Sequence, residues 1–168
     1  RRQTQLAHLR PDLRFVGLRG NIPTRIARAD APDVDAVLVA VAGARWVGLE
    51  DRLAEVLDVA VMVPQVGQGA LAIECRSDDA ATLAALAELQ HADSRRCVDA
   101  ERAFLAQLGG GCDLPVGAHA VVASDGSLRI VGVVASRDGR TLERAEHVGD
   151  DAAVGARLAA ALIGALER

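Results

Sequence analysis

The chain has 168 residues, 51% of them hydrophobic and 25% charged, enough apolar content for one core or two small ones and too much for wholesale disorder. No apolar stretch reaches the roughly 18 residues of a membrane span, and no basic-then-apolar leader opens the chain, so a cytoplasmic protein with no membrane partner is expected. The three cysteines, Cys75, Cys97 and Cys112, lack a C-x-x-C spacing, and His8, His91, His119 and His147 are scattered; neither a disulfide framework nor a metal site is indicated. The formal net charge of −4 is unevenly spread. Residues 1–28 hold seven arginines (Arg1, Arg2, Arg10, Arg14, Arg19, Arg25, Arg28) against Asp12 alone, a local +6 that leaves −10 on the remainder. Such a cluster points to an anionic ligand. With only 2% aromatic residues to stack on bases, nucleic acid is the poorer candidate and small polycarboxylates fit better.

In chain order, Arg1-Arg2-Gln3-Thr4-Gln5-Leu6 already has a helical pattern at its first residue, so a helix over 3–9 is expected, and the chain is expected to be a piece of a longer one. A short apolar strand is predicted over 13–18, ending at Arg19-Gly20, with a helix starting at Asn21, a good N-cap, and Pro23 in its first turn. Such a strand–loop–helix unit presents free N–H groups to an anion, with Arg19 and Arg25 able to fork onto carboxylates. A capped surface helix with solvated arginines is the plainer alternative. The apolar run over 34–41 suits a buried parallel strand, followed by a helix over 49–57. The segment 59–64 leads into Gln65-Val66-Gly67-Gln68-Gly69, where glycines and Pro64 mark a crossing, read as a hinge. A strand over 70–75 and a helix over 78–90 come next. Cys75, ending that strand, and Cys97, within a helix, are expected to be packed thiols.

From residue 91 the pattern becomes α+β. A helix over 94–108, strands over 117–123, 128–135 and 141–148, and an alanine-rich helix over 150–166 are predicted, with Asp125-Gly126 and Asp138-Gly139 as hairpin turns. Between the first helix and strand lies Gly109-Gly110-Gly111-Cys112-Asp113-Leu114-Pro115. Three glycines admit a bulky group beside the sulfur, which makes Cys112 a candidate attachment point. A helix C-cap followed by a buried cysteine satisfies the same spacing.

The run Glu101-Arg102-Ala103-Phe104-Leu105 leading to Gly110-Gly111-Cys112, then Pro115-Val116-Gly117-Ala118, resembles the cofactor-attachment signature of the porphobilinogen deaminases, or hydroxymethylbilane synthases. Three more segments are similar to that family in the same order: Leu18-Arg19-Gly20-Asn21-Ile22-Pro23-Thr24-Arg25, Asp35-Ala36-Val37-Leu38-Val39-Ala40-Val41-Ala42-Gly43, and Pro64-Gln65-Val66-Gly67-Gln68-Gly69-Ala70. The resemblance implies an α/β fold, part of a periplasmic-binding-protein-like domain followed by a small α+β domain with a three-stranded antiparallel sheet. Residues 1–64 would be part of a second domain, 65–90 an interdomain crossing with a return to a first domain, and 91–168 the C-terminal domain.

It further implies a monomeric transferase of tetrapyrrole biosynthesis, which condenses four porphobilinogen units into hydroxymethylbilane with loss of ammonia at each addition. Cys112 would carry a dipyrromethane cofactor through a thioether; Arg1, Arg2, Arg19, Gly20 and Gln68 would bind that cofactor, and Arg19 and Arg25 the substrate and growing pyrrole chain. The family's catalytic aspartate lies N-terminal to everything present, so no catalytic residue is expected here and the chain alone is expected to be inactive. Asp99 and Asp113 inherit no such role. Two departures stand out: Trp46 where the family places a basic residue, for which Arg45 could compensate, and Gln65 where it has a small one. A non-catalytic small-anion-binding module is the alternative from a different functional class.

Overall fold

The computed structural model describes residues 1–109 and 115–167. Its helices are α1 (Arg2–Leu9), α2 (Ile22–Ala27), α3 (Val41–Trp46), α4 (Ala80–Ala87), α5 (Ala92–Gln107) and α6 (Ala153–Leu166). The strands are β1 (Val116–Val122), β2 (Leu128–Ala135) and β3 (Leu142–Gly149). Short 3-10 turns lie at Arg28–Asp30 and Glu50–Arg52. The chain gathers into two compact units, one of Arg1–Pro11 with Val59–Arg168 and one of Asp12–Asp58.

In the larger unit, turns at Asp125-Gly126 and Asp138-Gly139 fold three strands into an antiparallel sheet of order β1-β2-β3, with Ala118 opposite Gly132 and Gly132 opposite Ala145. The period of two puts Val116, Ala118, Ala120, Leu128, Ile130 and Val134 on one face, where they join Phe104 of α5 and Val154, Leu158 and Leu162 of α6 in a single core. The two helices meet at a small-residue contact. A Cβ added at Gly155 would collide with the carbonyl of Ala100, so glycine is what allows the backbones to approach this closely.

The opposite sheet face is covered at one end by 59–64 and α1. Gly117 leaves room there, since a Cβ would stand 2.5 Å from the carbonyl oxygen of Pro64. Val63 is fully buried, and its backbone is read at both ends by Gln5 of α1, whose Nε2 donates to the Val63 carbonyl (3.0 Å) and whose Oε1 accepts from the Val63 N–H (2.8 Å). Arg144 of β3 donates to the carbonyls of Ala60 (2.6 Å) and Val59 (3.2 Å), fixing the start of the same segment. These contacts leave no buried side-chain nitrogen or oxygen unpaired among the described residues.

The smaller unit has a lesser core around Ile26 and Ala44, where Ile22 of α2 packs on Gly43 of α3. Exposed ion pairs of Arg28 with Asp33, Arg52 with Asp30 and Arg45 with Glu50 lie around it and contribute little individually.

The α+β region follows the sequence reading closely, with two helix starts shifted. The His91 ring accepts the Ser94 N–H, so α5 starts at Ala92 rather than 94, and Asp151 accepts the Ala153 N–H, so α6 starts at Ala153 rather than 150. Residues 1–90 bear out the helices expected over 3–9, from Asn21 and over 78–90 as α1, α2 and α4, and correct the rest of the reading. The strands expected over 13–18, 34–41 and 70–75 do not form, and the helix over 49–57 is only the turn Glu50–Arg52. All described strand pairing belongs to β1–β3, so the parallel sheet of a periplasmic-binding-protein-like domain has no counterpart among the described residues. A parallel strand takes its hydrogen bonds from neighbours distant in sequence, and an apolar run without them stays extended and unpaired. Cys75, expected to be packed, is exposed. No helix among the described residues is long and apolar enough to cross a membrane.

Two substitutions test this packing. Gly155→Ala should destabilise the larger unit by about 2–3 kcal/mol because the helices must separate. Gly164→Ala, in the same helix with nothing near its Cβ, should instead stabilise it by up to about 1 kcal/mol, both read from urea denaturation midpoints. Gln5→Leu should cost about 1–3 kcal/mol by the same measurement, the price of one orphaned N–H at Val63, whose carbonyl retains a second donor in Arg1.

Candidate functional site

The crossing segment forms a turn. The Gln65 carbonyl accepts the Gln68 N–H (3.0 Å), and Gly67, third in the turn, has φ +67°, a conformation that favours glycine. Val66 points into the core of the larger unit. The Gly67 N–H, not needed to close the turn, donates to Oε2 of Glu101 at 2.6 Å. Oε1 of the same carboxylate accepts the Ala120 N–H of β1 at 2.9 Å, and Nδ1 of His119 stands 3.8 Å from it. Glu101 is 6% exposed. A charge so far from water requires such donors, and each oxygen has one from a different element.

Arg1 lies beside this turn. Its Nε donates to Oε1 of Gln65 (2.9 Å) and its Nη1 to the Val63 carbonyl (3.1 Å). Burial, and secondarily the neighbouring Arg2, push its pKa below the ordinary guanidinium value, although arginine remains a cation at any physiological pH. The expected departure at Gln65 thus has a definite place: the amide is a hydrogen-bond partner of Arg1. Gln68 is exposed, with its side-chain oxygen 3.4 Å from the Gln65 N–H.

In the smaller unit, Gly20 (φ +113°) precedes Asn21, the N-cap of α2. Asn21 Oδ1 accepts both the N–H and the hydroxyl of Thr24, and its carbonyl accepts the Arg25 N–H. The loop therefore offers an anion fewer free N–H groups than the sequence suggests, and the arginines must supply most of the positive charge. Arg25 is held back over the loop by one bond, Nε to the Gly20 carbonyl (2.7 Å), which leaves its terminal nitrogens available. Arg19 is exposed. Arg45, which could stand in for the basic residue replaced by Trp46, is paired with Glu50 at 2.7 Å, and Trp46 itself is 77% exposed.

Of the predicted site residues, the structure thus brings Arg25 to Gly20 in the smaller unit, and in the larger it sets Arg1 against Gln65, the departure noted above. Arg2 belongs to α1. Cys112 and Asp113 lie outside the described residues, and Asp99 is paired with Arg95. Among the described residues no three His, Cys, Asp or Glu side chains gather as a metal site. Cys97 is half-buried, and burial, followed by the nearby Glu101 and Asp93 carboxylates, raises its thiol pKa. Glu101 is the residue the sequence reading passed over. Its signal was present: it falls on the helical stripe of Cys97, Phe104 and Leu108, all at the core, where an acid is out of place.

Each unit by itself presents a guanidinium group with unspent N–H bonds, the kind of donor that suits a carboxylate. Two family models match the chain in order: Porphobilinogen deaminase, dipyromethane cofactor binding domain, over residues 1–84, and Porphobilinogen deaminase, C-terminal domain, over residues 95–164. Similar proteins include the porphobilinogen deaminase of Pelobacter propionicus, 44% identical over 162 residues (91% of this chain and 52% of that protein). Those of Syntrophotalea carbinolica and Trichlorobacter lovleyi are 47% identical over 166 residues (97% and 52%) and 48% identical over 144 residues (86% and 46%). The chain spans about half the length of these curated relatives. With both models matched across nearly all of its residues, the chain belongs to the porphobilinogen deaminase family.

Proposed function

We propose that this chain is the cofactor- and substrate-holding part of a transferase that joins four porphobilinogen units into hydroxymethylbilane. The observation that carries the reading is the ordered match to both family models, the second of which spans the Gly110-Gly111-Cys112 signature. Cys112 is the thioether attachment point for dipyrromethane, which when bound supplies the primer pyrrole that the growing chain extends. Arg1, Arg2, Arg19, Gly20 and Gln68 hold the carboxylates of that primer, and Arg19 and Arg25 those of incoming substrate. Each pyrrole brings acetate and propionate groups, so negative charge accumulates with every addition and only guanidinium groups with spare N–H bonds can keep pace. Arg25 has such bonds, and Arg1 keeps part of its set after its two protein contacts.

The proton-handling carboxylate of the reaction comes from outside these 168 residues, so the chain alone is inactive. In the intact protein, 1–64 contributes to a periplasmic-binding-protein-like second domain, 65–90 crosses to and from a first domain, and 91–168 forms the third. The protein works as a monomer in the cytoplasm, with porphobilinogen and the pyrrole chain as its partners.

Intact-mass analysis of the parent enzyme, produced with porphobilinogen available, should show a dipyrromethane adduct that peptide mapping places on Cys112 and that Cys112→Ser abolishes. An active parent with unmodified Cys112 would refute the assignment. Iodoacetamide labelling of the 168-residue chain should modify exposed Cys75 several-fold faster than Cys97, whose thiolate is suppressed by burial and by Glu101 and Asp93. Equal rates would show that Cys97 is not shielded as described.

A further inference from the structure

We propose that Glu101 is a positioning residue for the cofactor segment, acting as a clamp that sets the crossing turn against the two elements flanking Cys112 in sequence. The inference rests on the function proposed for Cys112 and adds a role for a residue that touches neither cofactor nor substrate. Helix α5, which carries Glu101, ends at Gln107; strand β1, which contains Ala120, begins at Val116; Cys112 lies between them in the chain. The third element is the turn of Gly67, expected to cross between domains. One buried carboxylate serves both partners, Oε2 taking the Gly67 N–H at 2.6 Å and Oε1 the Ala120 N–H at 2.9 Å.

The geometry is demanding. β1 is an edge strand, so the Ala120 N–H on its outer side depends on Glu101 rather than on a further strand. The Gly67 N–H is presented by a turn whose glycine has positive φ. A side chain one methylene shorter cannot reach both donors, and an amide opposes one of them with its own N–H bonds. Any movement of the crossing turn is therefore opposed through Glu101 by α5 and β1.

The test uses the intact protein with Glu101→Gln and Glu101→Asp, and Leu166→Ala, a core contact outside the turn, as a control for lost stability. Amide hydrogen exchange should accelerate roughly tenfold or more at Gly67, at Ala120 or at both in each Glu101 variant, and at neither in the control. The Glu101 variants should also show incomplete dipyrromethane occupancy of Cys112 by mass, and about 10- to 100-fold lower kcat with little change in KM for porphobilinogen. Unchanged exchange at both amides overturns the clamp. Accelerated exchange with full occupancy and wild-type kcat overturns the positioning role, as does an equal loss of kcat in the Leu166→Ala control. A wild-type protein without an adduct on Cys112 refutes the function proposed above and this role with it, while the exchange measurement still decides separately whether the clamp exists.

Discussion

A carboxylate removed from water is tolerated only where hydrogen-bond donors replace its hydration, and at Glu101 those donors are two backbone N–H groups that have no other partner among the described residues. The dependence runs in both directions. Without Gly67 and Ala120 the charge would be buried bare; without the charge, a turn and an edge strand would each bury an unpaired N–H. The mutual requirement ties α5, β1 and the crossing turn together, and these are the elements from which the sheet's second face and its covering segment take their positions. Farther along the same segment the Gln5 amide repeats the arrangement in neutral form, reading both backbone groups of Val63.

The larger unit depends as much on close approach as on polar contacts. α5 and α6 meet where Gly155 faces the carbonyl of Ala100, and the covering segment meets the sheet where Gly117 faces Pro64. Dispersion between atoms at contact distance is weak per pair but adds up over such an interface. Of the chain's two phenylalanines and one tryptophan, Phe104 alone enters this core, and the rest of it is aliphatic.

The hairpins were legible in the sequence because everything that makes them is local: Asp-Gly turns, alternation over seven or eight residues, and partners adjacent in the chain. Predicted β2 matches the observed strand residue for residue. The apolar runs over 34–41 and 70–75 carry an equally strong strand pattern and form none, because periodicity records which residues favour burial and not whether a pairing neighbour is at hand. Leu71 and Ile73 show the consequence, standing 79% and 61% exposed. The site was legible in part for the same reason. Asn21 could be read as a cap from residue type alone, whereas the Glu101 contacts join positions 34 and 19 residues apart and left in the sequence only an acid on an apolar helical stripe.

Arg1 illustrates how such a fold can ready a cation for an anionic ligand without spending it. A guanidinium free in solvent would have to be ordered when a carboxylate arrives, at a cost in side-chain entropy. Here Gln65 and the Val63 carbonyl already fix its plane, using two neutral acceptors in place of an acid. Because neither acceptor carries a charge, the guanidinium stays electrostatically unbalanced, and part of its N–H set remains for a ligand. The exposed pairs of Arg28, Arg45 and Arg52 differ on this point: each already faces a carboxylate of the protein, so an arriving anion would have to displace one. On the function proposed above, Arg1 in the larger unit and Arg25 in the smaller, each held by neutral oxygens, are by this criterion better prepared to hold a carboxylate than the salt-bridged arginines.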